Sequence, residues 1–140
     1  MSEQMHPEEL WTTRNGERRY TGHNGRGGRV EMGPVEQEGA FTPGELMKLA
    51  LAGCAGMSSD FRFRRVLGDD YQVTIRVEAT KHAEDDRYDA FRETFEIDLS
   101  SLDEETRAKT IASAQAAIDR LCTVGNTIKA SAPISPAEYL

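Results

Sequence analysis

Two cysteines, Cys54 and Cys122, are the only thiols in this chain of 140 residues. Cys54 lies within the apolar run of residues 46–57, and Cys122 opens the segment Cys-Thr-Val-Gly-Asn-Thr-Ile-Lys. A thiol becomes a strong nucleophile only as its thiolate, so each cysteine needs a neighbouring group that stabilises the anion. The two segments together predict redox chemistry, provided that the fold brings the two sulfur atoms close to each other.

The two cysteines have different sources of activation in the sequence. Cys54 lies about three turns into a predicted helix, too deep for the N-terminal dipole of that helix to help it much. A cationic side chain must then come from elsewhere, and Arg26 is the leading candidate, with Arg29 as the alternative. Cys122 lies where a second helix ends and a short helical segment could begin, so backbone N–H groups are predicted to lower its pKa and make it the partner thiol.

Charge and length exclude several classes of protein. The net charge of −7 and the isoelectric point near 5.0 disfavour a nucleic-acid partner, since such binding uses Lys and Arg contacts to phosphates. We expect no membrane span, because the apolar run 46–57 is much shorter than the roughly 20 residues that cross a bilayer. The first residues carry no targeting pattern. We therefore expect one cytoplasmic domain over residues 1–140, whose cysteines are functional thiols rather than a structural disulfide.

Metal and cofactor sites are not expected. His6, His23 and His82 do not lie at metal-ligand spacing from one another or from the cysteines. The glycine-rich stretch of residues 25–29 precedes a predicted strand rather than a helix and lacks a phosphate-binding lysine, so it is interpreted as a turn.

The N-terminal part is predicted to form a three-stranded antiparallel meander. Asn-Gly pairs at residues 15–16 and 24–25 favour the positive φ angles of tight hairpin turns, which separate strands at about 10–14, 17–23 and 29–32. A helix is predicted next, with Thr42 as N-cap and Glu45 completing a capping box. It should run to about Leu67 and end at Gly68. Its part from Leu46 to Met57 should be buried on most faces, which makes it the central helix that carries Cys54.

The C-terminal part is predicted to contain a β-hairpin and a second long helix. Apolar residues alternate with polar ones over residues 71–79 and 91–99, with an exposed loop between them. Ser101 and Glu104 offer another capping box, and the helix that follows should lead to Cys122. Pro133 and Pro136 leave room only for a short edge strand around Ile134. The order of elements predicts an α+β fold.

The chain resembles the OsmC/Ohr family of osmotically inducible and organic-hydroperoxide-resistance proteins. The marks of this resemblance are the Pro-Gly-Glu-Leu helix start at residues 43–46, the alanine-rich approach to Cys54, and the segment from Cys122, which is similar to that family's Cys-Pro-Val-Ser-x-Thr-Leu pattern. The resemblance implies a peroxidase in which Cys54 attacks a hydroperoxide and becomes a sulfenic acid. Cys122 would then form a disulfide with Cys54, which an external dithiol reduces.

The same resemblance implies an intertwined homodimer with its sites at the subunit interface, and a catalytic arginine at Arg26 or Arg29. One departure concerns Gly44, ten residues before Cys54, where family members specialised for organic hydroperoxides carry a glutamate that orients the arginine. The chain is therefore more similar to the broader OsmC-like branch. A noncatalytic dimer that binds a small apolar ligand, with the cysteines kept for packing, is the alternative hypothesis.

Overall fold

The computed structural model describes residues 6–140. The chain divides into two compact units, of which the first ends at Met47 and the second comprises Lys48–Leu140. The expectation of a single domain over residues 1–140 stays a prediction. In the described part of the chain, no helix combines the length and the apolar character needed to cross a bilayer.

The first unit contains the predicted antiparallel meander. Its strands are β1 (Leu10–Gly16), β2 (Arg19–Asn24) and β3 (Arg29–Met32), and they pair in the order β1-β2-β3. The position of the third strand is as predicted, whereas the second begins two residues later than expected.

The two turns of the meander differ from the predicted Asn-Gly turns. The first turn is formed by Glu17 and Arg18, with Arg18 at φ 55°, because Asn15 is held against β2 by its side chain, whose Nδ2 donates to Thr21 Oγ1 at 2.6 Å. The second connection is a longer loop. Asn24 Oδ1 accepts the N–H groups of residues 26 and 28 at 2.8 and 2.9 Å, so this asparagine stabilises the loop by its side chain.

Helix α1 (Pro43–Leu67) begins and ends as predicted. Glu45 N–H donates to Thr42 Oγ1 at 3.1 Å, and Thr42 N–H donates to Glu45 Oε1 at 2.8 Å, which is the reciprocal capping box. Gly68 follows at φ +96°, a conformation that residues with a Cβ rarely adopt. The carboxylate of Glu45 is thus occupied by the cap of its own helix.

The prediction that α1 is buried on most faces from Leu46 to Met57 is wrong for the single chain. The buried positions lie on one face and are Leu51, Ala52, Ala55, Ser59 and Phe63. On another face, residues four apart form an exposed row, which we call the exposed α1 stripe: Leu49, Gly53, Met57 and Phe61. Met57 is 84% exposed and Phe61 52%. One hairpin and two helices cover a single side of this helix, so the apolar sequence alone overstates its burial.

The second unit contains the predicted hairpin and helices. Strands β4 (Val73–Lys81) and β5 (Tyr88–Ile97) are antiparallel, and they are followed by α2 (Glu104–Leu121) and α3 (Thr123–Ala130). Phe63, Leu99 and Ala114 form the buried cluster that joins α1, α2 and the end of the hairpin. The α+β fold class is confirmed.

Two predicted details of the second unit are wrong. The N-cap of α2 is Asp103, whose Oδ1 accepts Thr106 N–H at 2.7 Å, instead of Ser101. The short strand predicted around Ile134 is absent, since residues 132–140 have no regular structure. Pro133 and Pro136 lack the N–H groups that a strand would donate, and Ile134 is 94% exposed, so no burial compensates for their loss.

Candidate active site

Cys122 lies at the junction of two helices in the second unit. It is the C-cap of α2, where its N–H donates to the Ile118 carbonyl at 3.0 Å, and it is also the N-cap of α3. In the second role its Sγ accepts Gly125 N–H at 3.3 Å. The side chain is buried, with 2% of its surface exposed. Cys122 is therefore fixed by backbone hydrogen bonds on both sides.

Cys54 reaches the same helix terminus from α1. The groups near its sulfur that act on its pKa are the backbone N–H groups of Val124 and Thr123, the Cys122 thiol and the Ser58 hydroxyl one turn along α1. The side chain is half-buried, and neither cysteine is in a disulfide. The fold thus brings together the two thiols that the sequence singled out.

The pKa of Cys54 is lowered below the ordinary value of a thiol. The largest cause is the hydrogen bond from Val124 N–H, and partial burial opposes it. The Cys122 thiol, Thr123 N–H and the Ser58 hydroxyl lower the pKa further. The N–H groups of Thr123 and Val124 belong to the first turn of α3, where the N–H groups without intrahelical partners carry the positive end of the helix dipole. Cys54 is therefore the thiol that ionises first.

The pKa of Cys122 moves in the opposite direction. Burial is the largest cause and raises it, while the hydrogen bond from Gly125 N–H lowers it. The Cys54 side chain and the Glu93 carboxylate raise it further. The prediction that backbone N–H groups lower the pKa of Cys122 is thus wrong in its net direction, because the loss of hydration outweighs the single N–H donor.

The expected source of Cys54 activation also needs correction. The sequence argument considered only the dipole of the helix that contains Cys54, whereas the helix that acts on it is α3. Arg26 and Arg29 belong to the first unit. There Arg26 Nη1 donates to the Pro7 carbonyl at 2.8 Å, and Arg29 Nη2 lies 3.5 Å from Glu31 Oε2. An arginine partner for Cys54 stays a prediction.

One further acidic residue near the thiols was missed. Glu93 lies with Cys122 in the lining of a cavity of about 390 Å³ in the second unit. The signal was present in the sequence, since Glu93 interrupts the alternating apolar positions Phe91, Phe95 and Ile97 of β5. Over residues 6–140, no three side chains among His, Cys, Asp and Glu are grouped to hold a metal ion.

Comparisons with known proteins agree with this arrangement of elements. The sequence model of the OsmC-like protein family matches residues 36–137. An uncharacterized protein from Mycobacterium tuberculosis (strain ATCC 25618 / H37Rv) is 42% identical over 127 residues, which cover 91% of this chain and 93% of that protein.

Two crystal structures share the fold. An OsmC like protein from Mycoplasma pneumoniae superposes with a TM-score of 0.67 and 12% identity, covering 87% of this chain and 86% of that one. A protein from Psychrobacter arcticus 273-4, whose name proposes an osmotic stress induced and detoxification response, gives a TM-score of 0.61 and 22% identity over 84% and 85% of the two chains. At such low identity, these likenesses concern the fold alone.

Thr123 allows a direct test of the backbone contribution to the Cys54 pKa. Thr123→Pro removes one N–H donor but places proline at the first helical position, which α3 tolerates. The pKa of Cys54 should rise. We expect alkylation of Cys54 by iodoacetamide at pH 7 to slow roughly three- to tenfold. This is less than the loss of a hydrogen bond to a fully buried charge would cause, because Cys54 is only half-buried and solvent screens its charge.

The matched control is Thr123→Ala, which keeps the N–H and changes an exposed side chain only. Its alkylation rate, followed by mass spectrometry of the Cys54 peptide, should equal that of the unmodified sequence. Equal slowing in both variants would assign the effect to the threonine side chain and contradict the backbone explanation.

Proposed function

Because the chain belongs to the OsmC-like protein family, we propose that it is a thiol-dependent peroxidase that reduces organic hydroperoxides or hydrogen peroxide through Cys54 and Cys122. The observation that carries the proposal is the pair of neighbouring thiols at the start of α3, whose pKa is lowered for Cys54 and raised for Cys122. A peroxidase needs one thiolate for the attack and one protonated thiol that stays available for the next step.

The first half of the cycle is an oxidation of Cys54. Its thiolate attacks the terminal peroxide oxygen, the O–O bond breaks, and the leaving alkoxide takes a proton to become an alcohol. Cys54 is then a sulfenic acid. The half-buried Cys54 is more accessible than Cys122, which is 2% exposed, and this agrees with an attack by Cys54 rather than by Cys122.

The second half of the cycle returns both thiols. The Cys122 sulfur attacks Cys54, an S–S bond replaces the S–O bond, and water leaves. An external dithiol reduces this disulfide by exchange and becomes oxidised itself. The two thiols lie close enough to affect each other's pKa, which supports a disulfide between them.

A role in defence against oxidants in the cytoplasm follows from this chemistry as part of the same proposal. The name of the Psychrobacter arcticus protein, with its detoxification response, supports it. The alternative function, a noncatalytic dimer that binds a small apolar ligand, has its own support in the cavity beside Cys122, whose apolar walls include Leu51, Phe91 and Ile118.

Titration with an organic hydroperoxide separates these two functions. We expect one equivalent of tert-butyl hydroperoxide to consume both thiols and to yield a Cys54–Cys122 linked peptide, measured by thiol counting and peptide mass spectrometry. The variant Cys122→Ser should stop at a Cys54 sulfenic acid, which excess hydroperoxide over-oxidises to sulfinic acid. A ligand-binding protein would keep both thiols, and unchanged turnover of Cys122→Ser with the same dithiol would contradict the resolving role.

The arginine assignment can be tested by a matched pair of variants. Arg26 donates to a neutral carbonyl, whereas Arg29 lies beside the Glu31 carboxylate, so Arg26 keeps more of its positive field. We expect Arg26→Ala to raise the pKa of Cys54 and Arg29→Ala to leave it unchanged. The measurement is thiolate absorbance against pH in the Cys122→Ser background, where Cys54 is the only thiol. Wild-type titration curves for both variants would remove arginine from the activation scheme.

The proposed homodimer is supported by the exposed α1 stripe. Its apolar side chains are large for a surface, and around Gly53 no atom lies within 4 Å of the position of an added Cβ, so another backbone could approach there. We expect Met57→Glu to raise the dimer dissociation constant at least about a hundredfold, since the charge is placed in both copies. Sedimentation velocity measures this.

The control for the dimer is Val35→Glu, which places the same charge on an apolar side chain that is 75% exposed outside α1. This variant should sediment as the unmodified protein does. A Met57→Glu protein with an unchanged dissociation constant would show that the exposed α1 stripe lies outside the interface.

A further inference from the structure

Glu93 is a carboxylate on the inner, largely apolar face of a strand. It lies in β5 opposite Val77 of β4, and its neighbours on the same face are Phe91 and Phe95. Within residues 6–140, its Oε1 atom is buried and has no hydrogen-bond partner. A buried carboxylate oxygen without a partner costs stability, which calls for an explanation in function.

The cavity beside Cys122 gives Glu93 its chemical surroundings. Its volume is about 390 Å³, enough for several water molecules. The charged and titratable groups that line it are Asp89 and Glu93 from β5, Asp119 from α2, Cys122, and Lys129 from α3.

The other two carboxylates of the cavity have partners. Asp89 Oδ1 accepts from Arg87 Nη1 at 3.0 Å, and Asp119 Oδ1 accepts from Gln115 Nε2 at 2.8 Å. Burial raises the pKa of Glu93, and the charge of Lys129 opposes that rise. Glu93 is thus the carboxylate of this cavity whose environment favours accepting a proton.

The proposed cycle contains a step that needs such a group. Cys122 must lose its proton when it attacks the Cys54 sulfenic acid, yet burial raises the pKa of this thiol. Without a proton acceptor, only a small fraction of Cys122 is reactive at neutral pH. A positioned acceptor typically accelerates a step of this kind about 10²–10⁴-fold.

Resting on the peroxidase function proposed above, we propose that Glu93 accepts the proton of Cys122, through a water molecule in the shared cavity, while the disulfide forms. The S–H bond of Cys122 breaks and the proton passes to the Glu93 carboxylate. The Cys122 sulfur forms the S–S bond, the S–O bond of Cys54 breaks, and the departing hydroxide takes the proton back from Glu93 as water. The step consumes no further oxidant and leaves Glu93 ionised again.

The test is a single-turnover experiment on Glu93→Gln, a nearly isosteric change. Samples mixed with hydroperoxide are quenched at intervals, and sulfenic acid and disulfide are quantified by mass spectrometry. We expect sulfenic acid formation on Cys54 to keep its rate, while disulfide formation slows about a hundredfold near pH 7. The slowed step should recover as pH rises, because Cys122 then ionises without help.

The direction in which Glu93→Gln changes the rate of disulfide formation distinguishes proton transfer by Glu93 from an effect of its charge alone. The negative charge of Glu93 raises the pKa of Cys122, so its removal alone would make Cys122 more acidic and speed disulfide formation. A faster or unchanged step in Glu93→Gln would therefore overturn the proposal.

Two control variants complete the experiment. Asp119→Asn removes a carboxylate from the same cavity and should leave disulfide formation within about twofold of the wild type. Glu93→Asp keeps a carboxyl group and should restore part of the lost rate. Equal slowing by Asp119→Asn and Glu93→Gln would overturn the assignment to Glu93, whereas wild-type protein that never forms a sulfenic acid would overturn the peroxidase function itself.

Discussion

The first turn of α3 is the feature on which the site depends. A helix leaves its first N–H groups without intrahelical partners, and here those of Thr123 and Val124 lower the pKa of Cys54. The residue that precedes this turn is Cys122, whose sulfur caps the same helix by accepting Gly125 N–H. The start of α3 therefore lies beside both thiols. It stabilises the thiolate of Cys54, which belongs to α1.

The same geometry explains why the two thiols differ in acidity. Each accepts hydrogen bonds from backbone N–H groups, but Cys54 has more donors and is half-buried, whereas Cys122 is almost fully buried. Ionisation of Cys54 also raises the pKa of Cys122, since two adjacent thiolates repel each other. Cys54 is therefore the first of the two thiols to ionise. This order suits a cycle in which the second thiol reacts only after the first has been oxidised.

Local signals in the sequence predicted the elements of the fold well, because the interactions behind them are local. Thr42 and Glu45 cap α1 through partners three residues apart, and Gly68 ends it by its own φ angle. The first Asn-Gly pair failed because a tertiary hydrogen bond from Asn15 to Thr21 holds the asparagine in the sheet. The sequence marks Asn15 as a turn residue, but it does not show which hydrogen-bond partner the folded chain provides.

The residues of the site also divide into those that the sequence predicted and those that only the fold revealed. The two cysteines were visible from the sequence, while the donors to Cys54 belong to a helix some 70 residues further along the chain and could be assigned only after folding. The sequence shows Glu93 as a charged residue on an apolar strand face. Only the structure shows that it shares a cavity with Cys122.

Two departures from the sequence pattern that this chain resembles concern the activation of Cys54. Gly44 replaces a glutamate that orients an arginine, and Thr123 replaces a proline that has no N–H to donate. The second departure supplies the Thr123 N–H, which lowers the pKa of Cys54. A hydrogen bond to a charged group contributes about 1.5–3 kcal/mol, more than the roughly 0.2–1 kcal/mol that is typical of an exposed ion pair. Backbone donors in a helix also lose little entropy, because the helix already holds them in place. The terminus of α3 therefore lowers the pKa of Cys54 with donors whose positions the helix already fixes.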